Sequence, residues 1–172
     1  MNGRVSYWLI PAEPHKHRWA QIIRDLAQRF EAPEFEPHVT LYSGPQPSGN
    51  MEDILAHAAK SSSQIVLQTI GLAHSTEFTK TLFVEFSADE RLTKLSEDLR
   101  RLSTPSSPYE LKPHLSLVYA PLHAKTRERL TREFSLPATI NFNEVKAIAT
   151  GAVARSRADV EAWRIMAEKK LS

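Results

Sequence analysis

Two short stretches of this chain hold residue types that can do chemistry together. Pro37-His38-Val39-Thr40-Leu41 and Pro113-His114-Leu115-Ser116-Leu117 both read Pro-His-x-[Thr/Ser]-Leu, at an offset of 76 (114 − 38). Side chains alternate across a strand, so His and the hydroxyl residue two later share one face, and the intervening apolar residues share the other. Two such strands related by a pseudo-two-fold axis would set two imidazoles and two hydroxyls around one cleft. Imidazole is the side chain that titrates nearest neutral pH, so His38 and His114 can supply a general base and a general acid. Thr40 and Ser116 can donate hydrogen bonds to the non-bridging oxygens of one phosphate. The matching reaction is in-line attack on a phosphodiester. One His takes a proton from the nucleophile and the other protonates the leaving oxygen. With water as nucleophile and a cyclic phosphate as substrate, the product is a phosphomonoester. No metal or cofactor is needed, and spacing alone does not say which His is the base.

Competing chemistries are poorly served. A metal site needs a third ligand; Glu36 has the right parity beside His38, but no acid flanks His114 in the same way. There is no HExxH, and the 5 glycines form neither a GxGxxG nor a P-loop. The chain has no cysteine, which removes thiol nucleophiles, disulfides and Cys-ligated clusters, and suits a reducing cytoplasm. Of the 7 histidines, His57 and His74 read as structural, and His15, His17 and His123 as surface residues near helix starts.

The elements that must position the motifs follow from apolar periodicity. Strands are expected at Arg4–Ile10, His38–Ser43, Gln64–Ala73, Thr81–Phe86, Lys112–Tyr119 and Thr139–Ala149. Helices are expected at His17–Phe30, Met51–Lys60 (capped by Asn50), Ala88–Leu102 and Lys125–Phe134. A last strand is expected over residues 158–168. The order strand–helix–strand–helix–strand thus occurs twice, over about 4–76 and 80–150, and points to an internal duplication. The expected fold is α+β: one bilobal domain over 1–172 with pseudo-two-fold symmetry and antiparallel-rich sheets lining a central cleft. Trp8 stands with Ser6 on the face opposite Val5, Tyr7 and Leu9, where an exposed aromatic can stack a base. Phe83 is the corresponding aromatic between Thr81 and Glu85. Tyr42 shares parity with His38 and Thr40 and is a candidate cleft wall. Tyr119 shares parity with Leu117, so it reaches the cleft only if the strand ends or turns there.

The 22 basic and 20 acidic residues give a net charge of +2, which excludes a large single-sign field of the kind that drives non-specific nucleic-acid binding. Residues 1–76 carry 6 basic and 7 acidic residues, leaving 16 and 13 for 77–172. Neither half is strongly basic, which favours a small substrate over a long RNA. At 41% hydrophobic and 24% charged the chain can build a full core. No apolar run approaches the roughly 18 residues of a membrane span. A cytoplasmic monomer with no membrane partner is expected.

These paired His-x-[Thr/Ser] motifs on a duplicated framework resemble the 2H phosphoesterase superfamily, with its LigT-like fold. His-Leu-Ser-Leu-Val-Tyr at 114–119 is most similar to the cyclic phosphodiesterase branch. The resemblance spans essentially the whole chain. It implies hydrolysis of ADP-ribose 1″,2″-cyclic phosphate and of nucleoside 2′,3′-cyclic phosphates, the latter opened to 2′-phosphates, as arise from tRNA splicing and RNA cleavage. It likewise implies His38 and His114 as catalytic pair, Thr40 and Ser116 as phosphate ligands, and Trp8 and Tyr119 as substrate contacts. Plant members carry disulfides, and this chain departs from them. Two other readings are an RNA-end enzyme acting on 2′–5′ or 3′-terminal linkages, with short RNA 3′ ends as partners, and a non-catalytic RNA-binding module. The module would be expected to have a broken motif, and here both are whole.

Overall fold

Local sequence explains where most elements begin and end. The structure is a computed structural model and describes residues 3–151 and 153–172. Its strands are β1 (Arg4–Pro11), β2 (Val39–Pro45), β3 (Ile65–His74), β4 (Leu82–Phe86), β5 (His114–Val118), β6 (Thr139–Ala149) and β7 (Arg164–Lys170). Its helices are α1 (His15–Phe30), α2 (Met51–Lys60), α3 (Glu90–Leu102), α4 (Ala124–Leu130) and α5 (Arg157–Glu161), with one 3-10 turn at Phe78–Lys80. Asn50 caps α2 by accepting from the Glu52 and Asp53 N–H groups, and Asp89 caps α3 in the same way from Arg91 and Leu92.

Two expectations are corrected. The strand expected over 158–168 starts only at Arg164. Ser156 accepts from the Asp159 N–H and, with the Arg155 N–H, holds the Asp159 carboxylate, so the segment Arg157–Glu161 turns into helix first. The helix expected to reach Phe134 stops at Leu130, after which turn hydrogen bonds from Arg132 and Glu133 take over.

All seven strands join antiparallel in the order β1-β2-β5-β4-β3-β6-β7, and an added β1–β6 pairing closes the first six into a ring. Each repeat exchanges its third strand. β3, from the first repeat, pairs with β4 of the second; β6, from the second, pairs with β1 of the first. The helices cross over as well, with α1 lying against β5 and α3 against β2. One continuous core results, in which Tyr7, Leu9, Val39, Leu41, Leu82, Val84, Leu115 and Leu117 of the sheet meet Trp19 and Ile23 of α1 and Leu92, Leu95 and Leu99 of α3. No helix among the described residues is long and apolar enough to cross a membrane.

Each motif strand carries a bulge at the same place. Trp8 pairs with Thr40 but Tyr7 pairs with Tyr42, which leaves Leu41 unmatched. Phe83 pairs with Ser116 but Leu82 pairs with Val118, which leaves Leu117 unmatched. The two skipped leucines are equivalent at the offset of 76 (41 + 76 = 117). At the first bulge, the buried Ser96 hydroxyl of α3 donates to the Leu41 carbonyl at 2.6 Å. Ser96→Ala leaves that buried carbonyl without its donor and is expected to lower stability by about 1–3 kcal/mol in urea unfolding. A loss under about 0.5 kcal/mol would show that the bond does not hold the bulge.

Candidate active site

The two motif strands touch through one residue pair, Val39 with Leu115. These are each other's equivalents at the offset of 76 (39 + 76 = 115), so the pseudo-two-fold axis passes between them. Continuing this antiparallel register by one residue in each direction sets His38 beside Ser116 and Thr40 beside His114. All four line one cleft of about 230 Å³.

Both histidines are oriented by the same device. His38 Nδ1 is 2.6 Å from the Glu36 carbonyl and His114 Nδ1 is 2.7 Å from the Lys112 carbonyl, in each case the residue two before. A carbonyl only accepts, so each Nδ1 carries the proton and each neutral ring keeps its lone pair on Nε2. Their surroundings then differ. His38 is 7% exposed, and burial pushes its pKa down to about 3, opposed by the Glu36 carbonyl and reinforced by any proton on His114. His114 is half-buried. Burial lowers its pKa too, with Lys80 acting in the same sense, while the Lys112 carbonyl and the carboxylates of Glu77 and Glu85 favour its protonated form.

The hydroxyls differ as well. Ser116 Oγ donates to the Thr79 carbonyl at 2.7 Å, so its proton is engaged. The half-buried Thr40 receives, on its carbonyl, a long contact from the Tyr109 hydroxyl at 3.4 Å. Among the described residues no group of three or more His, Asp or Glu stands where it could hold a metal ion.

The aromatics land in four different places. Trp8 lines the cleft but is 5% exposed, with its ring stacked on His38 at 3.6 Å and 8°. The expected base-stacking face is therefore partly occupied by the histidine itself. Tyr119 lines the cleft, stacked on Phe35 at 3.8 Å, and burial raises its phenol pKa. Tyr42 is corrected: it is fully buried, parallel to Tyr7, with its hydroxyl accepting from the Ser107 N–H. Phe83 is also corrected: it is 6% exposed and lies behind His114, edge-to-face at 5.5 Å, rather than on the cleft wall. The bulges explain the tyrosines. Skipping Leu41 turns Tyr42 into the core and brings Ser43 to the cleft. Skipping Leu117 turns Val118 inward and brings Tyr119 to the cleft.

Sequence reasoning missed Arg4, Ser43, Tyr109 and Trp163, all of which line the cleft. Arg4 had a readable signal, since it shares strand parity with Ser6 and Trp8. Among the described lining residues it is the one with a formal charge. Trp163 packs edge-on to Trp8 at 5.4 Å from the position just before β7, inside the segment expected to be strand.

Comparison with known proteins places this architecture. E. coli LigT complexed with 3′-AMP superposes with a TM-score of 0.61 at 13% identity, over 100% of this chain and 99% of that one. A phosphoesterase crystal structure gives 0.61 at 13%, over 99% of both chains. TT0787 of Thermus thermophilus gives 0.60 at 14%, over 98% and 97%. At these identities the likeness concerns the fold, which is that of the LigT-like 2H phosphoesterases. The model of the family described as "Cyclic phosphodiesterase-like protein" matches residues 1–171, and the chain belongs to that family. No curated protein sequence matches.

The neutral histidines make stability depend on pH with a definite sign. Both folded-state pKa values lie below the ordinary 6.5, so on acidification the unfolded chain binds these protons first. Stability therefore falls as pH drops through 6.5, and for His38 it goes on falling to about 3. The carboxylates with lowered pKa values, Asp98, Glu133 and Asp159, act only below about 4.5. Urea midpoints are expected to decline from about pH 7 to 5 in the wild type and less steeply in His38→Gln. Equal slopes would contradict a buried, neutral His38.

Proposed function

We propose that this protein hydrolyses small cyclic phosphodiesters without a metal ion, by acid–base catalysis from two histidines. The observation that carries this reading is the pair of imidazoles on one cleft, each with Nδ1–H held by the carbonyl two residues before and with a hydroxyl residue beside it. Family membership and the shared fold of a LigT structure that holds 3′-AMP support a phosphate ester as substrate. The substrates proposed are nucleoside 2′,3′-cyclic phosphates and ADP-ribose 1″,2″-cyclic phosphate.

The difference between the two sites assigns the roles. His38, kept neutral by burial, takes the proton from water through Nε2. Water oxygen bonds to phosphorus and the P–O3′ bond of a 2′,3′-cyclic phosphate breaks. His114 is the acid. Burial and Lys80 lower its pKa, but it is less buried than His38, and the Lys112 carbonyl, Glu77 and Glu85 oppose that fall. Of the two it is therefore the one that takes up a proton and gives it to the departing 3′ oxygen. The product is a 2′-phosphate, and the two histidines regain their starting states by exchange with solvent. Thr40 donates to a non-bridging oxygen. Ser116 does so by turning its proton from the Thr79 carbonyl. Arg4 supplies the positive charge that an anionic substrate meets on entering the cleft. One cation, rather than a basic track, fits a small phosphate better than a long RNA strand.

Purified protein in EDTA is expected to open a 2′,3′-cyclic nucleotide. His38→Ala and His114→Ala are each expected to lose about 10²–10⁴-fold in kcat/KM. Abolition of turnover by EDTA, or survival of either His variant near wild-type rate, would reject the mechanism. Arg4→Ala is expected to raise KM by about 10-fold with a smaller change in kcat, as loss of one charge-assisted hydrogen bond implies. An unchanged KM would remove Arg4 from substrate binding.

A further inference from the structure

A buried ion cluster is joined to His38 through Glu36. Lys146, in the second half of β6, pairs across the sheet with Trp8, and its side chain is 9% exposed. Its ammonium donates to both carboxylate oxygens of Glu36, at 2.8 and 3.1 Å, and lies 3.7 Å from Glu144 and from Glu168. Burial alone would lower the pKa of this lysine. Its hydrogen bonds to Glu36 and the surrounding carboxylates outweigh that, and keep it charged. Lys16, from α1, adds a second cation 3.6 Å from Glu36. Glu36 is thereby fastened at both ends. Its carboxylate is tied to the sheet, and its carbonyl holds the Nδ1–H of His38.

The other half of the molecule has the histidine–carbonyl bond but no such anchor. At the offset of 76, Glu36 corresponds to Lys112, whose side chain is 66% exposed and, among the described residues, pairs with the exposed Glu110 alone, at 3.6 Å. Lys146 corresponds to Ile70 (146 − 76), which is 66% exposed on β3. The repeat can therefore be built without the cluster. A buried ion pair of this kind is poor evidence for added stability, which leaves its orienting effect as its distinctive consequence.

We infer that Lys146 is a positioning residue: through Glu36 it fixes the carbonyl that holds His38, so that the imidazole keeps its proton on Nδ1 and presents the Nε2 lone pair to the cleft. The catalytic consequence rests on the two-histidine reading above; the geometric one does not. The full-length protein, labelled at histidine ring nitrogens, reports the tautomer of each histidine by NMR without any substrate. His38 of the wild type is expected to show the Nδ1–H form alone. Lys146→Met is expected to show a mixture at His38 and an unchanged His114, and Lys146→Arg to restore the single form. With a nucleoside 2′,3′-cyclic phosphate, Lys146→Met is expected to lower kcat about 10-fold and leave KM within about two-fold, with most of kcat regained in Lys146→Arg. If Lys146→Met does not fold, Glu36→Gln, which keeps the carbonyl and loses the charge, is read by the same two measurements. A single Nδ1–H tautomer and wild-type kcat in the variant, whatever its melting temperature, would overturn the inference. Wild-type inactivity on cyclic phosphates would instead overturn the proposed function, and the tautomer measurement would still decide the role of Lys146.

Discussion

The pairing of Val39 with Leu115 is the contact on which the site depends. It is the one place where β2 and β5 meet, and it lies on the pseudo-two-fold axis. Because antiparallel register is exact, fixing this pair sets each histidine beside the other strand's hydroxyl residue. A slip of either strand by one residue would turn its own histidine to the helix-covered face and its apolar residues toward the cleft. The pair is protected from slipping by what lies beneath it. Val39, Leu41, Leu115 and Leu117 are fully buried, and each strand is backed by the other repeat's helix. Core packing and site geometry are thus two faces of the same pleat.

Much of this was legible because period and punctuation agree in the sequence. The alternation in Arg4–Ile10, the cap at Asn50 and the duplicated motif all read locally, and the elements that hold them follow the expected order. What was not legible depends on single-residue events within strands. Nothing in Leu41 or Leu117 announces a bulge, yet those two residues decide which tyrosine faces the cleft. Parity carried past the bulge put Tyr42 on the wrong side and left Tyr119 unresolved. Trp8 reads as a strand aromatic on the polar face, and it is. That its ring would lie against His38 rather than stand open depends on a rotamer that sequence does not encode. Lys146 and Glu36 are 110 residues apart, and their pairing follows only from the β1–β6 closure.

A symmetric scaffold here supports an asymmetric pair. The repeats give both histidines the same carbonyl partner and comparable strand positions. Burial then separates them. His38 is buried with Trp8 stacked on its ring, whereas Phe83 packs edge-to-face with the half-buried His114, near Lys80, Glu77 and Glu85. The acid–base mechanism proposed above, with two groups of one type, requires that their protonation states be held apart, and differing neighbours are a means of doing so.

The exchange of third strands also governs the order in which this protein can assemble. β1 is made first, but its second neighbour, β6, lies well over a hundred residues further along the chain. The β1–β2 pair can form early, but the ring stays open along one edge until residues 139–149 have been synthesised. Loop closure on this scale slows folding and leaves an unpaired edge during synthesis. Half-length fragments divided between the repeats would each lack the strand that completes their own sheet. Mixed together, they would have to exchange those strands to rebuild the cleft.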